Sequence, residues 1–391
     1  MLNNEKFINH SDICIIGAGM FGICSAFFLA KKGYQVLIID KDYISQRASG
    51  ANPGSLAIQN KHPDALVLLA RKAIDIWEYF GNINNKIEYT RCGGFRVAET
   101  EDEIKNLKKG QKRQENLGIK VNFFENKELI KMAPYLSTHL FAATYCELDG
   151  FADARIAAKE IAKLSIQKGV KYSLRNKVNK IKLKSNKIFL ETSQGSIKTE
   201  KLILCPGVWL NELLENFGIA IPIDLFINQV LVSAPEKPLI KHIITHVNGN
   251  LTVKQSHEGT VLMGGAWQGE GSLNTNEKKP SIYSIKGNSD ISCRVIPSIR
   301  KFLINRAWCE FHGYTKDRLP LFGKLPGYEN IYINGSCSGG FTIAPYMGKL
   351  MAELIDKDKT SEDVSNLNPA RFIKKETYKK ELNQNNSHKL F

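Results

Sequence analysis

The sequence lacks the features of a membrane-spanning or secreted protein. No apolar run reaches the about 18 residues that a transmembrane helix needs, and the polar start, MLNNEKFINHSD, contains no apolar signal-peptide core. The eight cysteines are isolated, without a C-x-x-C pair or the close spacing of a metal cluster. We therefore expect a cytoplasmic protein with reduced thiols, no transmembrane segment and no metal site.

Familiar catalytic patterns and internal repeats are also missing. No Ser-His-Asp set and no catalytic pair of carboxylates stands out. The net charge is +15, from 54 Lys and Arg against 39 Asp and Glu, but the excess is mostly lysine scattered among asparagines. Because no basic stripe with interleaved aromatic residues occurs, we do not expect nucleic acid as a partner.

What the chain does contain is the composition of a globular protein. Apolar residues make up 43% and charged residues 24% of its 391 residues, both close to the averages of soluble domains. A chain of this length exceeds one ordinary hydrophobic core, so we expect two interwoven domains. Residues 226–267 alternate between apolar and polar, which predicts an antiparallel sheet in the second domain. Residues 376–391 are polar, and we predict a disordered tail there.

The N-terminal forty residues have the pattern of a βαβ unit. Residues 12–16 form an apolar strand, residues 20–32 an apolar helix that stops at Gly33, and residues 35–40 a second buried strand. Such a unit places its two strands parallel in one sheet. The pattern predicts an α/β fold.

The turn of this unit carries G-x-G-x-x-G at Gly17, Gly19 and Gly22. Gly17 permits the tight turn, Gly19 lets the backbone approach a pyrophosphate, and Gly22 lets the helix pack closely on the strand. Asp40, at the end of the second strand, can accept hydrogen bonds from both ribose hydroxyls and disfavours a 2′-phosphate. The motif predicts a bound dinucleotide, with NADP the least favoured, and leaves its identity open.

Two further glycine clusters follow later apolar strands. Gly207 comes after the strand that ends at Cys205, and residues 335–340, GSCSGG, close the strand IYING. Glycines at such positions allow close backbone approach at additional strand ends. A nicotinamide dehydrogenase shares the N-terminal motif but needs neither cluster, so the clusters disfavour that class.

In this order the motifs resemble the D-amino-acid oxidase family of FAD enzymes, in the branch that contains glycine oxidase, sarcosine oxidase and related amine dehydrogenases. The resemblance implies a discontinuous, glutathione-reductase-like Rossmann domain for FAD, built from residues 10–95, 150–225 and 306–365. It also implies a mostly antiparallel α+β substrate domain built from residues 96–149 and 226–305. The matching segments cover nearly the whole chain and are GAGMFG with Asp40, ASGANPG, RCGGFRVA, LDGFADA, LILCPGVW, INQVLV, TVLMGG, TKDRLPLFG, INGSCSGGFTIAP and Pro369–Phe372.

The resemblance implies that FAD is bound without a covalent link. Some relatives attach the flavin through a cysteine, but Glu310 stands at the linking position here. Small residues and free amides are what a phosphate and the carbonyl edge of a flavin require. The residues placed at the cofactor by resemblance are Gly17, Gly19, Met20, Phe21, Gly22, Asp40, Lys41, Ser49, Gly50, Asn52, Gly54, Val178, Gly207, Trp209, Gly335, Gly339, Gly340, Phe341 and Thr342.

At the substrate the chain departs from its relatives. They often carry W-x-G-x-R-P-x-T-x-D, whose arginine grips the substrate carboxylate, whereas this chain reads WCEFHGYTKD from Trp308 to Asp317. His312 stands in place of the arginine, and an imidazole offers a carboxylate at most one donor. Arg318, where relatives often carry glycine, and Tyr314 are the other candidate anchors. A purely structural role remains an equal alternative for His312 and for Arg318.

The resemblance implies an enzyme that oxidises the carbon–nitrogen bond of a small amino acid or secondary amine by hydride transfer to flavin N5. This transfer needs the donor carbon held about 3–3.5 Å from its acceptor, with the amine unprotonated. Electrons then pass to oxygen or to an accepting partner, and an oligomer is possible. The alternatives are a flavoprotein subunit of a heteromeric dehydrogenase and a flavoprotein of tRNA modification, the latter suggested by the positive charge.

Overall fold

A computed structural model describes residues 8–184 and 187–373. The predicted disordered tail, residues 376–391, lies outside the described residues. Within those two ranges no helix is long and apolar enough to cross a membrane.

The strands range from 3 to 13 residues in length. Their bounds are β1 His10–Ile16, β2 Val36–Ile39, β3 Gly94–Ala98, β4 Asn122–Glu125, β5 Ala142–Cys146, β6 Lys171–Ser173, β7 Val178–Lys184, β8 Lys187–Thr192, β9 Gly195–Leu204, β10 Ile223–Pro235, β11 Ile243–His246, β12 Thr252–Gln255, β13 Thr260–Gly264, β14 Glu270–Ser272, β15 Glu277–Lys279, β16 Ile304–Thr315, β17 Leu321–Lys324 and β18 Ile331–Gly335.

The helices are α1 Met20–Lys31, α2 Ala48–Ala51, α3 Asp64–Ile83, α4 Glu101–Asn116, α5 Asn126–Met132, α6 Ala154–Gln167, α7 Leu210–Leu214, α8 Ile282–Val295 and α9 Gly340–Lys357. Helix α3 is amphipathic, as its sequence predicts, and the predicted apolar stripe is buried. Its members are Leu66, Leu69, Ala70, Ala73, Trp77 and Phe80.

The chain forms two compact units. The first comprises Met1–Ser49, Ala158–Leu225 and Gly313–Phe391, in their described parts. The second comprises Gly50–Ala157 and Phe226–His312.

The first unit contains a largely parallel sheet in the order β17-β18-β9-β1-β2-β6, with β7 and β8 attached beside β9. Strands β9, β1, β2 and β6 run parallel, as do β18 and β9, and β17 is antiparallel to β18. Helices α1 and α9 pack against each other. A Cβ atom at Gly348 of α9 would lie 2.6 Å from the backbone of Cys24 in α1, so glycine permits this close approach.

The second unit contains a mostly antiparallel sheet in the order β16-β10-β13-β12-β11-β3-β5-β4. Strands β3 and β11 are parallel neighbours, whereas β10–β13, β12–β13, β11–β12, β3–β5 and β4–β5 are antiparallel pairs. Alternate residues of β12 and β13, such as Val253 and Met263, belong to one apolar core with Ile291 of α8. The predicted mixed α/β fold, with an antiparallel sheet from residues 226–267, is confirmed.

The two units and the two predicted domains divide the chain differently at residues 150–157, at residues 306–312 and, over the longest stretch, at residues 50–95. The sequence assigns that segment to the FAD domain, but its packing places it in the second unit. Backbone pairing contributes to this, because Ser55 and Thr90 form bridges with Phe151, and β3, which begins at Gly94, bonds to β5 and β11 of the second sheet. Which segments serve the cofactor and which the substrate stays a prediction.

Candidate functional site

The first glycine turn, between β1 and α1, is closely packed. Gly17 has a φ of +116°, and its N–H donates to the carbonyl of Ile39 at 2.8 Å. A Cβ atom at Gly17 would overlap the carbonyl of Cys205, just after β9, and one at Gly22 would overlap the carbonyl of Gly17. Only glycine allows the two strands and the first turn of α1 to approach this closely.

The amino end of α1 has features that suit the binding of an anion. Gly19 is its N-cap, and the first helical turn contains no acidic side chain. The Met20 N–H donates to Ser49 Oγ at 3.0 Å, and a Cβ atom at Gly19 would lie 3.0 Å from the same oxygen. A glycine-lined helix amino end combines N–H donors with a partial positive charge, which suits a pyrophosphate.

The carboxylate of Asp40 lies where β2 ends. It accepts hydrogen bonds from the Ala18 N–H at 2.6 Å and from the Asp42 N–H at 2.7 Å. Burial raises the pKa of Asp40, and the two N–H donors oppose this effect. Each carboxylate oxygen can accept a second hydrogen bond, so Asp40 can still receive ribose hydroxyls while it fixes the turn.

Two of the predicted cofactor residues, Lys41 and Trp209, contact each other. The one-turn 3₁₀ helix Gly207–Trp209 follows that strand. The Lys41 ammonium lies 3.7 Å from the centroid of the Trp209 ring, and the Arg47 guanidinium lies 5.4 Å from it. Burial lowers the pKa of Lys41. These contacts tie the residue after Asp40 to the second glycine cluster.

The third glycine cluster joins β18 to α9. Gly339, the N-cap of α9, has a φ of +65°. The Ser336 hydroxyl donates to the Gly207 carbonyl at 3.2 Å. A Cβ atom at Gly340 would lie 2.9 Å from the Phe21 ring. The third cluster thus contacts both the second cluster and α1.

The three glycine clusters share one edge of the first sheet. Strands β1, β9 and β18 are parallel neighbours, so their carboxyl ends lie together. Ligands of parallel α/β sheets bind at this edge. A helix amino end, a half-buried carboxylate and glycine turns at neighbouring strand ends together fit a dinucleotide such as FAD.

Another predicted flavin segment, Asn52–Gly54, forms a tight turn in the second unit. Gly54 has a φ of +75°, and its N–H donates to Asn52 Oδ1 at 2.8 Å. A Cβ atom at Gly54 would overlap the carbonyl of Ala152. Gly54 therefore cannot be replaced without moving the backbone.

The remaining predicted cofactor residues occupy varied positions. Gly50 lies in α2, and Val178 is buried at the start of β7 in the apolar core of the first unit. Phe341 and Thr342 lie in the first turn of α9, where the Thr342 N–H donates to the Gly339 carbonyl at 3.0 Å. Their roles at the cofactor stay predictions.

The candidate substrate anchors lie on β16 and the turn that follows. Burial lowers the pKa of His312 to about 4, so its imidazole is neutral near pH 7. Arg318 has a φ of +66°, in the left-handed region that favours glycine. Its guanidinium lies 5.1 Å from the Tyr314 ring centroid, whereas Asp317 pairs with Arg371 at 2.7 Å. Of the three candidates, Arg318 carries the charge that a carboxylate needs.

Two buried charged residues were not predicted from the sequence. Asp149 accepts hydrogen bonds from the Ile58 N–H at 2.6 Å and from Gln59 Nε2 at 3.1 Å, and burial raises its pKa to about 6. Lys254 on β12 is only 2% exposed. The segment LDGFADA contains Asp149 and was a usable signal, whereas an alternating strand gives no sign that Lys254 is buried. Among the described residues, no cluster of His, Cys, Asp and Glu could hold a metal ion.

Comparison with known proteins identifies the family of this chain. A family model described as FAD dependent oxidoreductase, DAO, matches residues 12–354. The glycine oxidase of Geobacillus kaustophilus is 26% identical over 93% of this chain and 98% of its own. The beta subunit of sarcosine oxidase from Rhodobacter capsulatus is 25% identical over 88% of this chain and 85% of its own.

Solved structures with a similar fold agree with the family match. The L-proline dehydrogenase from P. horikoshii superposes with a TM-score of 0.87 and 25% identity, over 94% of this chain and 98% of that one. The glycine oxidase structure from Geobacillus kaustophilus superposes with a TM-score of 0.83 and shows the same fold. Since the family model spans most of the chain and the site fits the cofactor, the protein belongs to the DAO family of FAD-dependent oxidoreductases.

Proposed function

We propose that this enzyme oxidises the carbon–nitrogen bond of a small amino acid or secondary amine. The observation that carries the proposal is the match to a glycine oxidase over nearly the full length of both chains. The glycine turns and Asp40 supply a cofactor site in support. Bound FAD supplies a two-electron acceptor for such an oxidation.

In this proposal, hydrogen bonds rather than a covalent link hold the cofactor. The N–H groups at the amino end of α1 bind the pyrophosphate, and Asp40 binds the ribose. Cys309, on β16, is buried, and burial raises the pKa of its thiol, which disfavours a reactive thiolate. The raised pKa of Cys309 supports the non-covalent FAD that the resemblance implies.

The substrate must lose a hydrogen from the carbon next to its nitrogen, with the electron pair of that C–H bond, while a C=N bond forms. The amine has to be unprotonated, so positioning and desolvation matter more than a strong base. A neutral His312 can accept or donate one hydrogen bond but adds no charge. Arg318, supported by Tyr314, binds the carboxylate of an amino-acid substrate.

A second candidate is a flavoprotein subunit of a heteromeric dehydrogenase. Two similar proteins are named as subunits, one of sarcosine oxidase in Rhodobacter capsulatus and one of opine oxidase in Rhizobium meliloti. In that case the electrons leave to a partner protein rather than to oxygen.

The test is an anaerobic screen in which amines and amino acids are mixed with the purified yellow protein. Loss of the flavin absorbance with glycine, sarcosine, proline or a similar compound supports the proposal, and bleaching by uncharged amines alone contradicts the amino-acid substrate. Admitting oxygen to the bleached protein then separates the two candidates. Rapid return of the colour indicates an oxidase, whereas return only with an artificial acceptor indicates a dehydrogenase.

A further inference from the structure

Arg371 connects two segments of the first unit that are far apart in the chain. It lies in the 3₁₀ helix Pro369–Phe372, and its side chain is 17% exposed. All three nitrogens of its guanidinium donate hydrogen bonds, six in total, at 2.5–3.3 Å. A planar guanidinium with this many acceptors fixes both segments relative to each other. The acceptors are Asp317, Leu319 and Pro320 in the turn after β16, and Leu367 and Asn368 beside the 3₁₀ helix.

Residues 315–320 form the turn that Arg371 holds, the Arg318 turn. Arg318 has a φ of +66°, and a residue other than glycine keeps such a conformation only where its surroundings impose it. Within the turn, the Arg318 N–H donates to the Thr315 carbonyl and the Leu319 N–H donates to Asp317 Oδ1, both at 3.0 Å. Arg371 binds the same Asp317 carboxylate from 54 residues away. The local bonds and the distant guanidinium therefore act on one backbone conformation.

Arg371 also determines what Asp317 binds. Asp317 precedes Arg318 in the chain, and its two carboxylate oxygens accept from Arg371 at 2.7 and 3.3 Å. Burial raises the pKa of Asp317, but the hydrogen bond from Arg371 helps to outweigh this effect, so the pKa is lowered and the carboxylate is ionised near pH 7. Since Arg371 balances its charge, the Asp317 carboxylate competes less with another carboxylate for Arg318.

We propose that Arg371 is a positioning residue, which holds the Arg318 turn through Asp317 and so keeps the Arg318 guanidinium in the arrangement that binds the substrate carboxylate. The inference rests on the proposed function, in which Arg318 is the carboxylate anchor. Its structural part, that Arg371 holds the turn, is independent of any substrate. An ammonium lacks the planar fork that reaches several carbonyls at once, so lysine does not replace Arg371.

The first experiment measures how firmly the turn is held, with trypsin acting on the native holoenzyme. The product measured by mass spectrometry is the peptide that ends at Arg318. Arg371→Met removes the guanidinium, and Asp317→Asn weakens the same contact from the other side. Arg71→Met is the matched control, because Arg71 also pairs with an aspartate, Asp75, at 2.7 Å, and its loss changes the net charge equally.

We expect Arg371→Met to be cleaved after Arg318 about tenfold faster than the wild type, because cleavage follows the population of the opened turn. Asp317→Asn should change in the same direction, Arg371→Lys should recover little of the protection, and Arg71→Met should match the wild type. Unchanged cleavage in both Arg371→Met and Asp317→Asn overturns the proposal. An equal increase after Arg155, in the second unit, would indicate unfolding of the whole chain and also contradicts it.

The second experiment tests the link to the substrate, with an amino acid that bleaches the flavin. Arg371→Met should raise KM about tenfold with little change in kcat, as expected for two residues coupled through shared hydrogen bonds. In an Arg318→Met background the same substitution should raise KM no further. A general loss of structure would instead lower kcat and FAD content in both backgrounds.

The kinetic results separate this inference from the proposed function. An Arg318→Met enzyme with normal KM contradicts the carboxylate anchor itself. An Arg371→Met enzyme with normal KM, beside a weakened Arg318→Met enzyme, contradicts only the role of Arg371. A further rise in KM when both residues are replaced contradicts that role as well, because Arg371 would then act on the substrate without Arg318.

Discussion

At the scale of single residues, the buried carboxyl of Asp149 couples stability to pH. Burial raises the pKa of Asp149 from 3.8 to about 6. The folded state therefore binds this proton more tightly than the unfolded state does. The stability that the group contributes is fully present below about pH 4 and is lost as the pH rises through about 6.

Asp149→Asn should remove this dependence. Between pH 4 and 7 the wild-type free energy of unfolding should fall relative to that of the variant by on the order of 2–3 kcal/mol, the equivalent of two pKa units. Urea unfolding at several pH values measures the difference. Parallel profiles for the two proteins would show that Asp149 ionises as easily in the folded state as in the unfolded state.

Arg318 is the charged candidate for binding a substrate carboxylate. Arg318→Met should raise KM for an amino-acid substrate, with a loss of ~1.5–3 kcal/mol in kcat/KM, because a charge-assisted hydrogen bond is removed. FAD content should not change. Arg306→Met is the control, since Arg306 also lies 5.2 Å from an aromatic ring on β16, that of Trp308. Unchanged kcat/KM in Arg318→Met would place the anchor elsewhere.

At the scale of elements, the same substitution in two helices should have opposite effects. A Cβ atom at Gly22 in α1 would overlap the Gly17 carbonyl. Gly22→Ala should therefore destabilise the protein by at least the ~1–3 kcal/mol that overpacking costs, and it should release FAD.

A Cβ atom at Gly110 in α4 would meet only the tip of the Arg96 side chain, at 3.6 Å. Gly110→Ala should stabilise the protein by about 0.5–1 kcal/mol through helix propensity, with full FAD content. Thermal unfolding and flavin absorbance measure both, and a Gly22→Ala protein that keeps FAD contradicts the expected overlap.

The elements also show what a sequence can predict. The unit of β1, α1 and β2 was predictable because its apolar strands, its glycines and Asp40 lie close together in the chain. The pairing of β3 with β11 was not, since nothing local to residues 94–98 indicates a partner some 150 residues away. The burial of Lys254 was missed for the same reason, because it depends on Ala152 and Gly54, which are distant in sequence.

At the scale of the whole molecule, the prediction is that FAD can be removed without breaking a covalent bond. Denaturing the holoprotein and removing the precipitate should leave free FAD in solution, identified by chromatography and fluorescence. Denaturation by heat or by acid should release the FAD equally well. Flavin that stays with the precipitated chain would contradict non-covalent binding, and the thiols to test for a covalent link would be Cys309 on β16 and Cys337 in the third glycine cluster.

The whole molecule also shows the limit of a family resemblance. It led correctly to the family and the fold, since glycine turns and sheet order are shared by many relatives. It did not supply the substrate, because the arginine that the resemblance leads us to expect is absent, and His312 stands at its expected position.

The glycines of the site differ in whether a second substitution could compensate for their replacement. A side chain at Gly17 or Gly22 would overlap a backbone carbonyl, and a second substitution cannot remove a backbone atom. A side chain at Gly340 would instead meet the ring of Phe21, which a smaller residue at that position could remove. Suppressor mutations should therefore be recoverable for Gly340→Ala, with position 21 as their first location, and unobtainable for Gly17→Ala and Gly22→Ala.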